Sequence, residues 1–415
     1  MSLSSRSGRV DAFFLAGAPL IALGFARFCY ALILPSMRTD LGLSYGRAGL
    51  LGTANTAGYL IGCIGLPLIV RNRSVLGVFR IGVVVTVAGI AATGLTRNYI
   101  AILGARSLAG FGGAAAFILG SALAASIATR EPDSVVVFNA GAGVGIVVGA
   151  AALPPLLASH PERWRVAWFV LSAFAIIAAA AAMSRRMDGP RPSTVAPSFR
   201  DAVSGSPSLR WLTTSYVCFG TGYIVFVTFL VSTLRARGAS VSFTSTAFVV
   251  LGAAAAVSPR LWSGPLAAWP TRRLMSYSLM GQGVAAALLA ASRQPLIILT
   301  SVAVFGSMFL MTPAVVTITV RRERPEYEWT STIGAITALF RDRTGARTLG
   351  ERGAHRSSRH RRRPAVDRNV LVSRRMVGHA MDPITLKQML RHRGSGHVCG
   401  WSVTMLLECG TVATT

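Results

Sequence analysis

A single arginine, Arg27, interrupts the apolar stretch Gly24–Met37, which reads GFARFCYALILPSM. In a membrane helix this position lies roughly 13 Å below the membrane surface, at about 1.5 Å per residue. An arginine side chain spans only about half of that depth, so the guanidinium needs a partner inside the protein. Guanidinium groups bind carboxylates, phosphates and polarised carbonyls. Arg27 is therefore a candidate ligand for an anionic or strongly hydrogen-bonding solute.

A second arginine, Arg106, lies in the stretch LGARSLAGFGGAAAF. Gly110 follows it by one helical turn, and Gly113 and a run of alanines keep the same face flat, which favours close helix packing. Arg106 is expected to point inward beside that contact, at a depth similar to that of Arg27. We therefore predict that both arginines face a central cavity and that a carboxylate, phosphate or polarised carbonyl of the substrate bridges them. Two functions are open for both arginines: contact with a solute, or hydrogen bonds to the backbone carbonyls of broken or glycine-rich helices.

The other polar side chains within the apolar runs are amides and phenols. With Arg27 and Arg106 they form the predicted substrate-binding set: Tyr30, Asn55, Tyr59, Asn139, Tyr223 and Gln282. Each amide has the alternative of joining two helices. Proton-coupled carriers usually relay H⁺ through an intramembrane carboxylate or histidine. Here no acidic residue occurs between Asp40 and Glu131, or between Asp201 and Glu323. Two inward cations without acidic partners favour an anionic solute.

Motifs of catalysis and metal binding do not occur in the chain. The sequence contains no CxxC, HExxH, Walker or GxSxG motif. We therefore predict no catalytic residue, no metal site and no cofactor, and the chain is not expected to be an enzyme.

Composition indicates a membrane protein. Apolar residues make up 52% and charged residues 14% of the 415 residues, and the mean hydropathy is +0.53. A soluble domain carries about a quarter charged residues. Ten spans are predicted: 12–36, 47–70, 76–95, 99–128, 134–158, 164–183, 209–233, 243–268, 273–292 and 295–319. An eleventh begins near Glu328 and is cut short at Phe340.

Composition also divides the chain. The predicted units are an N-terminal six-helix bundle (1–183), a polar linker (184–208), an incomplete C-terminal bundle (209–340) and an arginine-rich tail (341–415). Arginine pairs occupy alternate loops, so the positive-inside rule places the N-terminus and the linker in the cytoplasm. The stretch LPSMRTDLGLS after span one is similar to LVSTLRARGAS after span seven. This similarity suggests a duplicated six-helix unit.

Several motifs resemble those of the major facilitator superfamily (MFS) of transporters. Arg106, Gly110 and Gly113 resemble its helix-four signature, and Trp164–Trp168 is similar to the usual start of helix six. The glycine-rich stretch 139–155 resembles the helix-five motif associated with exporters. Spans one and seven resemble the YbfB/YjiJ-like branch. The usual aspartate between helices two and three is missing from GLPLIVRNRS, residues 65–74.

The resemblance implies an all-α polytopic membrane protein with two six-helix bundles related by a pseudo-twofold repeat, of which about 10–11 helices are present. It implies a multi-pass secondary transporter in the cytoplasmic membrane that moves a small organic solute by alternating access, with export slightly favoured. The expected partners are this solute and the lipid bilayer, the expected state is a monomer, and no specific nucleic-acid binding is expected.

The tail changes character after Phe340. It holds 15 lysine and arginine residues against 5 acidic ones. Three interpretations are open: a basic segment that binds nucleic acid or anionic lipid, a disordered tail without a partner, or a reading-frame slip near codon 341. With the slip, the alternative function is a truncated, transport-inactive membrane remnant.

Overall fold

The described chain is built of helices. The computed structural model describes residues 3–71, 73–128, 133–158, 160–185 and 205–339, so residues 186–204 of the predicted linker and the whole predicted tail lie outside it. The first helix, α1, runs through the consecutive segments Leu3–Leu15, Gly17–Pro19, Leu20–Phe28 and Cys29–Asp40. The helices that follow are α2 (Tyr45–Val70), α3 (Val75–Leu95), α4 (Tyr99–Ile127), α5 (Ser134–Ala158), α6 (Trp164–Met183), α7 (Pro207–Ala236), α8 (Val241–Ala268), α9 (Thr271–Ala291), α10 (Pro295–Phe309 and Met311–Glu323) and α11 (Trp329–Leu339).

Nine stretches of this described chain are long and apolar enough to cross a membrane. They correspond to α1–α6 and α8–α10, and each matches a predicted span. The thirty-residue α7 and the short α11 are not among the nine. The prediction of an all-α polytopic membrane protein is confirmed, because no strand occurs in the described ranges. The first span differs most from its predicted bounds, since its helix extends from Leu3 to Asp40.

The turns after α1 and α7 have the same construction. Gly42 and Gly238 both adopt positive φ angles, 60° and 79°, which favour glycine. In each turn the next amide returns to a helix carbonyl: Leu43 N–H donates to Arg38, and Ala239 N–H to Leu234. Ser44 and Ser240 then cap α2 and α8. The sequence similarity therefore corresponds to a structural repeat with an offset of 196 residues.

Helices α2 and α4 meet along glycines. A β-carbon on Gly110 would overlap the backbone of Asn55, and one on Gly58 would overlap the backbone of Ser107. Interfaces of this kind stabilise membrane helices through backbone packing, since lipid provides no hydrophobic drive for helix association. The packing face predicted around Gly110 is confirmed.

A glycine crossing also joins α5 to α8, between the first and second repeats. A β-carbon on Gly143 would lie 2.7 Å from the Gly252 carbonyl oxygen, and one on Gly252 would lie 2.9 Å from the Gly143 carbonyl oxygen. Further along the same two helices, the Ser245 hydroxyl donates to the Ala150 carbonyl at 2.6 Å. The two repeats therefore touch backbone to backbone along the glycine-rich helix.

A carboxylate joins three helices at the end of the bundle where α1 stops. Asp40 accepts hydrogen bonds from Arg97, at 2.6 Å, and from the Trp164 indole, at 2.7 Å. Arg165 donates to the Gly94 and Leu95 carbonyls at the end of α3. Trp164 and Arg165 at the start of α6 therefore connect this helix to the ends of α1 and α3 by hydrogen bonds.

We expect Asp40→Asn to lower the free energy of unfolding by about 1 kcal/mol, because a neutral amide loses the negative charge that strengthens both hydrogen bonds to Oδ2. The effect stays modest because Arg97 is more than half exposed. Thermal unfolding in detergent measures it. Glu162→Gln is the matched control, since Glu162 pairs only with the exposed His160, and an equal loss in that variant would contradict the assignment.

Candidate functional site

The middle of α1 is a π-helix rather than an α-helix. It covers Leu20–Phe28, and the Cys29 amide closes it by donating to the Gly24 carbonyl five residues earlier. π-Helical turns are rare, and they occur often at functional sites because they shift side chains and leave carbonyls available for other donors. Arg27 lies in the last turn of this segment.

Arg27 connects the two repeats. Its Nη1 donates to the Tyr223 hydroxyl of α7 at 2.8 Å, and its guanidinium carbon lies 4.9 Å from the ring centroid of Tyr59 in α2. Arg27 and Tyr223 are 196 residues apart, which is the offset between Gly42 and Gly238. The two side chains therefore occupy equivalent positions in the repeats and meet between α1 and α7.

Aromatic rings form the wall around this pair. Phe219 stacks on Tyr223 with ring centroids 4.9 Å apart, and Tyr216 stacks on Phe219 at 5.5 Å. Phe309 lies 5.8 Å from Tyr223, and Phe28 meets Phe309 edge to face at 5.4 Å. Stacked and edge-to-face arrangements of this kind suit a flat apolar group.

A small cavity of about 40 Å³ lies inside this wall. That volume is little more than the share of one water molecule in the liquid. Its lining residues are Leu23, Arg27, Phe28, Thr56, Tyr59, Leu60, Phe117, Tyr216, Phe219, Tyr223, Phe309, Leu310, Pro313 and Thr337. One cation, three phenols and two threonine hydroxyls supply the polar groups of the lining, and it includes no carboxylate.

Arg106 has a different environment. It is 1% exposed, and its Nη1 donates to the Ala26 carbonyl at 2.7 Å. Its guanidinium lies between two rings, 4.6 Å from the centroid of Tyr30 and 5.2 Å from that of Trp168. Arg106 therefore binds a backbone carbonyl of the π-helical segment, next to Arg27. It does not line the described cavity.

Two further residues of the predicted set surround Arg106. The Tyr30 hydroxyl donates to the Ala48 carbonyl at 2.6 Å, and the Asn55 amide donates to the Arg106 carbonyl at 3.1 Å. Both side chains are buried and hold α1, α2 and α4 together.

The family of the chain is shown by its match to a family model. Residues 19–342 match the family model described as "Uncharacterised MFS-type transporter YbfB". The chain belongs to this MFS family. It is therefore a multi-pass membrane protein with the family and fold of MFS transporters, as the motifs predicted. A search of curated protein sequences found no match.

A solved MFS structure has the same fold. The chain is similar to a structure described as the MFS proton:xylose symporter XylE bound to 6-bromo-6-deoxy-D-glucose. The TM-score is 0.69 at 11% identity, and the match covers 98% of this chain and 95% of that chain. At this identity the similarity shows the fold alone.

Two amides of the predicted set lie away from the cavity of this MFS protein. The Asn139 amide donates to the Val135 carbonyl of its own helix, and its Oδ1 has no partner in the described chain. Gln282 lies in α9 and donates to the Ser278 and Thr312 hydroxyls. The structure thus brings Arg27, Tyr59 and Tyr223 together and places Tyr30, Asn55, Arg106, Asn139 and Gln282 elsewhere.

Much of the cavity wall was missed by sequence reasoning. The residues missed include Phe28, Thr56, Tyr216, Phe219, Phe309 and Thr337. A signal existed in α7, where Tyr216, Phe219, Tyr223 and Phe226 follow each other at helical spacing and so share one face.

We expect Arg106→Met to weaken the fold without changing which solutes are preferred. Loss of a buried charged hydrogen bond and two cation–π contacts lowers the free energy of unfolding by about 2–3 kcal/mol. Thermal unfolding in detergent measures the loss, and competition between an organic anion and its neutral amide measures the preference. A loss of anion preference in this variant would indicate that Arg106 contacts the solute, and would contradict its assignment to the packing of α1 against α4.

Proposed function

We propose that this MFS protein is a secondary transporter that moves a small organic solute with a flat apolar body and one anionic or strongly accepting group by alternating access. The Arg27–Tyr223 hydrogen bond between the repeats supports this proposal best. A solute held there contacts α1 and α7 together, so its binding depends on how the two repeats are arranged.

The charges around the cavity support an anionic solute. Arg27 is the single charged residue of the described lining. Among the described residues Arg27 has no ion partner, since Tyr223 and Tyr59 offer a hydroxyl and a ring face. A carboxylate at the other edge of the Arg27 guanidinium adds an ion pair to the hydrogen bond with Tyr223, which no neutral group provides.

The aromatic wall supports a flat body for the solute. Phe309 of α10 lies 5.8 Å from Tyr223 and 6.4 Å from Phe219 of α7 between ring centroids. We propose that these pairs separate when a planar group enters, so that each ring offers the solute a face. We therefore propose aromatic or similarly planar carboxylates as the first class to test. The phenols of Tyr59, Tyr216 and Tyr223 provide hydrogen bonds for further polar groups.

We further propose the cytoplasmic membrane as the location, with the N-terminus and the linker between α6 and α7 in the cytoplasm, and a monomer as the working unit. The arginine-rich loops support this orientation. We propose export as the direction of transport, because α5 carries the glycine-rich stretch that resembles the helix-five motif associated with exporters. Reporter fusions at the N-terminus and in the linker test the orientation, and a periplasmic linker would contradict it.

Counterflow in proteoliposomes tests the transport proposal, because the exchange of a solute can be measured without knowing the coupling ion. Vesicles preloaded with unlabelled benzoate, benzamide or cyclohexanecarboxylate receive labelled benzoate outside. We expect benzoate to drive exchange, cyclohexanecarboxylate to be weaker because its puckered ring cannot stack between aromatic rings, and benzamide to be weaker because it lacks the charge, with no exchange in protein-free vesicles. Equal exchange with cyclohexanecarboxylate would contradict the planar body. Exchange equally well supported by benzamide would contradict the anion class, and absence of exchange or binding with any planar solute would contradict the substrate proposal.

A further inference from the structure

A larger cavity of about 230 Å³ lies away from the central one, at the end of the bundle where α1 and α7 stop and α8 begins. We name it the vestibule. It is lined by the ends of α1, α5 and α7 and the start of α8, including Ser36, Arg38, Pro154, Arg235, Thr244 and Ser245. Its volume accommodates a phosphate or a short carboxylate.

The vestibule contains two arginines that lack ion partners. The Arg38 guanidinium lies 4.3 Å from the ring centroid of Tyr45. Within the described ranges, neither Arg38 nor Arg235 forms a side-chain hydrogen bond or an ion pair. The nearby acid, Asp40, is occupied by Arg97. No aspartate or glutamate belongs to the described lining of the vestibule.

Two other arginines at this end of the bundle bond to the ends of helices. Arg165 donates to two carbonyls at the end of α3, and Arg237 donates to the Leu289, Ala290 and Ser292 carbonyls at the end of α9. Arg38, which is partly buried, and Arg235, which is exposed, differ from these two arginines because both line one cavity whose described lining contains no acidic residue.

A hydroxyl adds a donor to the pair. Ser36 is 8% exposed, lines the vestibule and makes no hydrogen bond in the described chain. The Thr244 and Ser245 hydroxyls already donate to the Ser240 and Ala150 carbonyls. We propose that the vestibule is a second anion site, in which a small oxyanion, free or carried by a lipid headgroup, bridges Arg38 and Arg235 beside Ser36.

This site is distinct from the central cavity and does not depend on the proposed substrate. Arg38 belongs to α1 of the first repeat, and Arg235 belongs to α7 of the second. A bridging anion therefore stabilises contact between the repeats at this end, and its dissociation favours their separation. The vestibule anion would thus regulate the opening of this end rather than be transported through it.

Calorimetric titration of inorganic phosphate into the detergent-purified full chain tests the proposal. We expect Arg38→Gln and Arg235→Gln each to weaken phosphate binding at least about tenfold. The double variant should lose little more than either single variant, because both arginines hold one ligand. Arg293→Gln, at an exposed position at the same end, is the matched control and should bind as the wild type does.

Two comparisons separate the possible results. Phosphate binding lost in Arg27→Gln but retained in Arg38→Gln would place the anion in the central cavity and overturn the proposal. In nanodiscs without added phosphate, stabilisation by phosphatidylglycerol that requires Arg38 and Arg235 identifies a lipid headgroup as the source. Wild-type responses of both vestibule variants in detergent and in nanodiscs would also overturn it. Failure of the benzoate counterflow leaves these outcomes unchanged.

Discussion

Replacement of Arg27 by lysine should lower counterflow of an organic anion by about a hundredfold or more. The guanidinium is planar and lines the cavity, so one nitrogen can keep its hydrogen bond to Tyr223 while another binds the proposed carboxylate. The ammonium group of lysine is compact and not planar. It therefore cannot contact Tyr223 and the carboxylate at the same time, and it cannot stack on the Tyr59 ring as the guanidinium does. Loss of a charge-assisted, two-point contact of about 3 kcal/mol corresponds to that factor.

The control for this prediction uses charge preference as well as rate. Arg27→Met should abolish the preference for benzoate over benzamide, whereas Arg106→Met should retain it. Tyr223→Phe removes one hydroxyl and should reduce exchange less than Arg27→Lys does, because the cation remains. Wild-type exchange and wild-type preference in both Arg27→Lys and Arg27→Met would remove Arg27 from the binding site.

Arg27 and Arg106 show that the sequence can identify inward-facing arginines but cannot tell a cavity residue from a packing residue. Both lie in apolar helices at similar distances from a helix end, so composition predicts that both point inward. The structure assigns one to the cavity and the other to the Ala26 carbonyl. The difference depends on the π-helical segment of α1, which no local pattern in Leu20–Phe28 indicates. Bridging of both arginines by one solute therefore does not enter the proposed function.

The fold was easier to predict than the site, because the membrane spans depend on hydropathy, which can be averaged over consecutive residues. Hydropathy over about twenty residues identifies a span, and the caps at Ser44 and Ser240 mark the starts of α2 and α8. The site depends on which faces meet after packing. Asn139 illustrates this limit, because its amide bonds within its own helix at a depth where a ligand contact was predicted.

The aromatic wall was missed for a related reason. Phe219 and Phe309 belong to α7 and α10, and they come together only in the folded bundle. Apolar rings in an apolar helix carry no signal of their own, since lipid-facing and core-facing positions have the same polarity in a membrane protein. Polar residues are conspicuous in such a sequence, and so they dominated the predicted set.

Substitution of Gly252 by valine should abolish most transport while the helices remain folded. A β-carbon at this position would lie 2.8 Å from the Val147 nitrogen and 2.9 Å from the Gly143 oxygen, which are backbone atoms that cannot move aside within a helix. The clash is relieved when α5 and α8 separate, and these helices belong to different repeats. Because alternating access requires the repeats to close on the solute, we expect counterflow to fall about tenfold to a hundredfold.

Gly264→Val is the matched control on the same helix, because a β-carbon at Gly264 meets no atom within 4 Å. It should retain wild-type exchange. The separation of the helices is measured by oxidative cross-linking of cysteines introduced at Ala150 and Ser245. These positions are neighbours, since the Ser245 hydroxyl lies 2.6 Å from the Ala150 carbonyl oxygen. Gly252→Val should cross-link less than the wild type, because its α5–α8 contact opens. Normal exchange together with normal cross-linking in Gly252→Val would show that the glycine crossing is not needed for closure, since a side chain there would then be tolerated in the closed state.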